Sequence, residues 1–199
     1  ASLLRANEDL GQFAYAASHD LREPLRTMTT YAQLLGRRYD KALDEHARKF
    51  ISNIVDGSRR MEMLVSDMLA FSQAQGAQLV LRRTDMTQVL DTALSGLRSS
   101  IDETGAEITR DPLPMITVDA ARMSQVFQNL VGNAIKYRKP DESCRIHIGA
   151  KRERSDAWIF SVQDNGLGFD NSYAEQIFGM FKRLHGSEIA GTGIGLAIC

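Results

Sequence analysis

The chain has 199 residues, 43% hydrophobic and 25% charged, with a formal net charge of −1. That balance suits a globular protein of one or two domains and gives no bulk pull toward nucleic acid or an anionic membrane, so no nucleic-acid partner is expected. Two cysteines, Cys144 and Cys199, make neither a disulfide framework nor a metal cluster.

Cysteine usage favours a reducing, cytoplasmic setting. No apolar run approaches membrane-spanning length, and no signal peptide is visible. The chain opens on Ala1 rather than Met, so it reads as a piece of a longer protein, with a sensor domain expected upstream.

Leu3, Ala6, Leu10, Phe13 and Ala17 recur at 3- and 4-residue spacings, continued by Leu21, Leu25, Met28, Ala32 and Leu35. This is the stripe of an amphipathic helix. The polar stretch "GRRYDKALDEHARK" breaks the pattern. A second stripe follows: Phe50, Ile54, Met61, Leu64, Val65, Met68 and Phe71. Residues 1–75 are therefore predicted to form an antiparallel helical hairpin. One hairpin buries too little surface to be stable alone, so dimerisation into a four-helix bundle is expected.

After "AQGAQ" the character changes, with a linker expected near residues 74–82. "LVLRRTD" reads as a strand, "MTQVLDTALSGLRSSIDE" as a helix, and "EITRDPLPMITVD" as strand pieces interrupted by prolines. "DAARMSQVFQNLVGNAIKYR" reads as a strong helix capped by Asp119, and "CRIHIGAKRERSDAWIFSVQDNG" as a hairpin of two strands. The rest is glycine-rich, with one short helix near Tyr173 to Phe178. Residues 79–199 thus read as a separate α+β domain.

Three features carry chemistry. On the first helix His19 falls about 180° from the centre of the apolar stripe. It reads either as an ordinary solvated side chain or as a presented nucleophile. Asp20 is one step round, and with a suitable rotamer it would hold one ring nitrogen and leave the other as the attacking atom. Pro24 removes a backbone donor and bends the helix near residue 20. His46 and His147 receive no role, and His185 reads as a solvated side chain too.

The second feature is one face of the helix near residue 130: Arg122, Gln125, Asn129, Asn133, Lys136 and Tyr137, with Met123, Phe127, Leu130, Val131 and Ile135 opposite. It reads as a solvated face or as a ligand face. Carboxamide oxygens ligate Mg²⁺ without adding charge, their NH₂ groups bond phosphate, and Lys136 adds a cation.

The third is a pair of glycine segments. In "SVQDNGLGF" Asp164 ends a strand, as part of a plain turn or as a buried acceptor for an exocyclic amine such as that of adenine. Gly166 and Gly168 permit tight turning. "GTGIGLAIC" places Gly191, Gly193 and Gly195 at alternate positions before a helical start, a loop able to offer amides to phosphate. Between them, Phe178 and Phe181 read as core anchors or as pins at one end of a mobile lid.

The order of these motifs resembles the catalytic core of sensor histidine kinases of the two-component type, in the phytochrome-like and PAS-linked branch. "FAYAASHDLREPLR" resembles the phospho-acceptor box, "QNLVGNAIKYR" the N-box, "DNGLG" the G1 box, "IFGMF" the F-box and "GTGIGLA" the G2 box. The resemblance implies a dimerising phosphotransfer hairpin followed by a Bergerat (GHKL) α/β sandwich. It implies His19 as phospho-acceptor, Asp20 as the activating acid and Asn133 as the Mg²⁺ ligand. ATP would be bound by Asn129, Asn133, Lys136, Tyr137, Asp164, Gly166, Gly168, Arg183, Gly191, Thr192, Gly193, Gly195 and Leu196. The implied partners are a second copy and a response-regulator receiver domain. The alternatives are a GHKL ATPase that makes no phosphoprotein and a non-catalytic dimeric scaffold. Two departures stand out. Glu23 occupies the position where many such kinases carry Thr or Asn for phosphatase activity. The chain stops at Cys199, short of the family's last helix and strands, so an incomplete ATP-binding domain is expected.

Overall fold

A computed structural model describes residues 2–76, 78–153, 157–179, 181, 182, 184 and 192–199, with side chains given for those outside 2–19 and 71–76. The chain divides into two compact units, residues 1–77 with 179–183 and 190–198, and residues 78–178 with 184–189 and 199.

In the first unit α1 (Ser2–Arg38) and α2 (Glu45–Gly76) form the predicted hairpin. The break falls inside the polar stretch as expected, but it is shorter than that stretch, whose two ends are helical. Only residues 39–44 turn, around a single 3₁₀ turn at Asp40–Ala42. Asp44 starts α2 by accepting from the Ala47 amide at 2.7 Å, and Arg48 reaches back to Asp40 through a 2.6 Å bond to its carbonyl. Pro24 lies inside α1.

The expected apolar stripe divides. Leu25 and Ala32 are buried, whereas Leu21, Met28, Leu35, Phe50, Ile54 and Met61 stay exposed, Leu21 by 51% and Phe50 by 64%; on α2 the buried leucine is Leu69, which lies outside the expected stripe. Two helices cover only one strip of each other, so a wider stripe is left uncovered within one chain. A short α6 (Gly195–Ile198) also belongs to this unit, preceded by the buried Ile194.

In the second unit two small sheets form, β1 (Arg82–Asp85) with β3 (Met115–Val118), and the order β2 (Glu107–Arg110), β4 (Arg145–Arg152), β5 (Trp158–Asp164). β2 runs parallel to β4, with Ile108 opposite Ile146. β5 runs antiparallel, with Ile148 opposite Val162 and Asp164 opposite Ile146. The first strand is shorter than "LVLRRTD" suggested, because Leu79, Val80 and Leu81 lie outside it and exposed.

The long helix expected after it is two, α3 (Met86–Gly96) and α4 (Arg98–Thr104), broken at Leu97 and stopped at Gly105 with φ 62°. α5 (Ala120–Lys136) is the strong helix. Asp119 caps it, accepting from the Ala121 and Arg122 amides, and its other oxygen accepts from the Val80 amide at 2.9 Å.

Val89, Leu90 and Ala93 of α3 and Phe127, Val131 and Ile135 of α5 bury one face of the β2–β4–β5 sheet, against Ile146 and Ile148. Phe127 meets Phe160 edge-on at 6.0 Å. Burial of such a ring contributes about 1.5–3 kcal/mol. The short helix expected near 173–178 is instead two 3₁₀ turns, Asn171–Tyr173 and Gln176–Phe178. Among the described residues no helix is long and apolar enough to cross a membrane.

Candidate nucleotide site and phospho-acceptor helix

α5 sets the first half of the site. Its core residues turn Asn129, Asn133 and Lys136 to the opposite side, where all three are half-buried. Asn129 donates to the Cys199 sulfur at 3.8 Å. The Asn133 carboxamide has no hydrogen-bond partner among the described residues. Lys136 lies over the Tyr137 ring, 4.5 Å from its centre. An unpartnered, half-buried carboxamide one turn from a lysine fits a hydrated divalent ion and the phosphates it accompanies. Among the described residues no cluster of three His, Cys, Asp or Glu could hold a metal.

β5 sets the second half. Asp164 ends the strand exposed, not buried as the sequence suggested, because the chain turns away at once. One of its oxygens accepts from the Gly166 amide at 2.8 Å, which leaves the other for a ligand. The loop then passes the end of α5, where the Leu167 amide donates to the Tyr137 carbonyl at 2.9 Å. A Cβ on Gly166 would lie 2.6 Å from that carbonyl, so no other residue fits without a shift. Gly168 has φ 64°, which glycine adopts freely. The Asn face of α5 and the Asp164 turn are thus joined through Tyr137.

Asn165 was missed by the sequence reading, although it stands between two residues that were chosen. Its oxygen accepts from the Arg145 amide at 2.9 Å, and its nitrogen donates to the Ser143 carbonyl at 2.9 Å and to Glu142 at 3.4 Å. Lys139 pairs with Glu142 at 2.9 Å and, with Asn165 and Arg145 adding to its effect, holds that carboxyl below its ordinary value. The one signal was the amide side chain directly after an acidic strand end. His147 on the sheet's other face bonds Thr109 at 2.9 Å and faces Asp111 at 3.4 Å.

In the first unit Thr192 donates to Asp67 of α2, and Gly193 has φ 75° with no room for a Cβ beside the Lys182 carbonyl. Gly195 and Leu196 open α6. Phe178 and Phe181 are both exposed rather than core anchors. Arg183, Gly191 and His185 lie outside the described residues. His19 is in α1 by its backbone, but its side chain lies outside the described set. Asp20 and Glu23 are exposed on the same helix.

Two family models match the chain. Residues 9–77 match the His Kinase A phospho-acceptor domain, and residues 118–199 match the histidine kinase-, DNA gyrase B- and HSP90-like ATPase. Cyanobacterial phytochrome A of Nostoc sp. is 48% identical over 198 residues, 99% of this chain and 26% of that protein. The phytochrome-like protein Cph1 of Synechocystis sp. is 46% identical over 199 residues, 100% of this chain and 26% of that protein. The chain therefore spans about a quarter of the length of these relatives. Among solved structures, full-length ShkA in complex with AMPPNP superposes with a TM-score of 0.65 at 28% identity, over 94% of this chain and 39% of that one. A phospho-acceptor match on the hairpin and an ATPase match on the domain carrying α5 and the Asp164 turn lead to one assignment: the chain belongs to the sensor histidine kinases of two-component systems, as their helical hairpin followed by an α/β ATPase domain.

Proposed function

We propose that this core transfers the γ-phosphoryl group of Mg-ATP to His19 and passes it on to an aspartate of a response-regulator receiver domain. The observation that carries the reading is the junction at Tyr137, which sets an unpartnered Asn133 and the open oxygen of Asp164 on one rigid frame. Asp164 accepts from the adenine amine, while Asn129, Lys136 and Tyr137 line the phosphate side. Asn133 would hold Mg²⁺, which when bound would supply positive charge against the phosphates.

Asp20 holds one nitrogen of the imidazole, and the other attacks phosphorus in line. The N–P bond forms as the bond to the bridging oxygen of ADP breaks, and the proton on the other ring nitrogen passes through the Asp20 carboxylate to solvent. Positioning supplies most of the rate. Gly168, Arg183, Gly191, Thr192, Gly193, Gly195 and Leu196 are assigned to nucleotide binding on the family resemblance of their motifs. Residues 1–75 serve as the phosphotransfer hairpin and 79–199 as the ATP-binding domain, and the linker near 74–82 gives His19 access to the nucleotide.

The exposed apolar faces of α1 and α2 close in a homodimer. The setting is the cytoplasm, where ATP is supplied, and a sensor domain signals from upstream.

The test is labelling with γ-³²P-ATP in the full-length protein. The expected product is an acid-labile, alkali-stable phosphoprotein that disappears in His19→Ala. Label that persists in the variant, or steady ATP turnover with no phosphoprotein, refutes the reading, and the second result identifies a plain ATPase.

A further inference from the structure

We propose that Asn165 is a positioning residue for the nucleotide, which aims the free oxygen of Asp164 by locking the 165–168 turn to the entry of β4. The proposal rests on the nucleotide reading above and deepens it.

The β4–β5 ladder ends at the pair Ile146 and Asp164. One position further on, the backbone of β5 has begun to turn and no longer reaches its neighbour. The Asn165 side chain takes over, accepting from the Arg145 amide and donating to the Ser143 carbonyl, both at 2.9 Å. Those two backbone groups would otherwise lose a partner. Because the side chain does the pairing, the backbone is free to turn toward α5. There the Gly166 amide meets Asp164 and the Leu167 amide meets Tyr137.

The turn is thus held from three segments: the end of β5, the end of α5 and residues 142–145 before and into β4. Gly166 leaves no slack, since even a methyl group would collide with the Tyr137 carbonyl. The direction of the open Asp164 oxygen is fixed by this frame, and Asn165 is its only side-chain tie to the 142–145 segment among the described residues. Asparagine suits the position because it both donates and accepts. An aspartate would keep the bond to Arg145 but lose the donor, and would set a carboxylate 3.4 Å from that of Glu142.

A residue that merely stabilised the fold would lower melting temperature without changing which base is preferred. The experiment therefore uses the full-length protein and compares Mg-ATP with Mg-ITP, which carries a carbonyl in place of the adenine amine. Asn165→Ala is expected to weaken ATP binding about tenfold and to shrink the ATP-to-ITP preference by a similar factor. Labelling of His19 at saturating ATP should stay within about twofold, since the loss is in binding. Amide exchange at Arg145 and Leu167 should accelerate in step. Asn165→Asp, which preserves shape, should show the same pattern and decides the matter if the alanine variant does not fold. An unchanged ATP-to-ITP ratio in a folded variant, with wild type normal, overturns this proposal alone. A wild type that binds neither nucleotide overturns the nucleotide reading and this proposal with it.

Discussion

Gly166 sits where the end of β5 crowds the end of α5, and its lack of a side chain has a measurable consequence. A Cβ there would stand 2.6 Å from the Tyr137 carbonyl and 2.7 Å from the Asp164 carboxylate, so the turn must open to admit it. Gly166→Ala is expected to destabilise the domain by about 1–3 kcal/mol and to weaken ATP binding more than tenfold, because Asp164 moves with the turn. Thermal melts and nucleotide titration report the two effects separately, and a variant that binds ATP like wild type removes Asp164 from the site. "DNG" was legible as a turn, and the resemblance marked Asp164 and Gly166. That Asn165 ties down residues 142–145 was not legible, because its partners include backbone groups about twenty positions away.

At the scale of elements, the joint between β3 and α5 rests on Asp119. One oxygen caps α5, and the other holds the Val80 amide at the start of the domain. The Val80 amide first, then the Arg122 amide, hold this carboxyl below its ordinary 3.8. A depressed carboxylate stabilises the fold fully above that ordinary value, and the contribution is lost as pH falls through the lower, folded-state value. Melting temperature should therefore drop on acidification below about pH 4. Asp119→Asn should melt below wild type at pH 7, with the gap closing by about pH 2. A gap that is equally wide at both ends removes the charge from the account and leaves only the cap.

The α5 cap and the core face were readable because capping and the 3.6-residue period are local. The split of the predicted 86–103 helix into α3 and α4 at Leu97 was not, since the apolar pattern runs straight across it.

At the scale of the molecule, the apolar stripes of α1 and α2 exceed what one hairpin buries. Ile54 and Phe50 are half or more exposed in a single chain. In a two-fold bundle each would meet apolar side chains of the other copy, and a charge there would appear once per copy and be desolvated. Ile54→Glu should convert a dimer to monomer by light scattering at micromolar concentration. A dimer of unchanged mass and stability shows that copies meet on another face.

The sequence by itself determined the order of motifs, the two helical stripes, the strong helix with its Asn face, and the strand pair ending in Asp164. Each of these depends on neighbours within a few positions, through helical or strand period, capping and turn chemistry. Only the tertiary structure decided that Leu167 bonds to Tyr137 thirty positions earlier, that Asn165 pairs with β4 while Asp164 stays exposed, and that among the described residues the hairpin leaves most of its stripe uncovered. Periodicity states which side of an element is apolar. Which segment comes to lie against that side depends on chain path and on the number of partners, and neither is written in any local window.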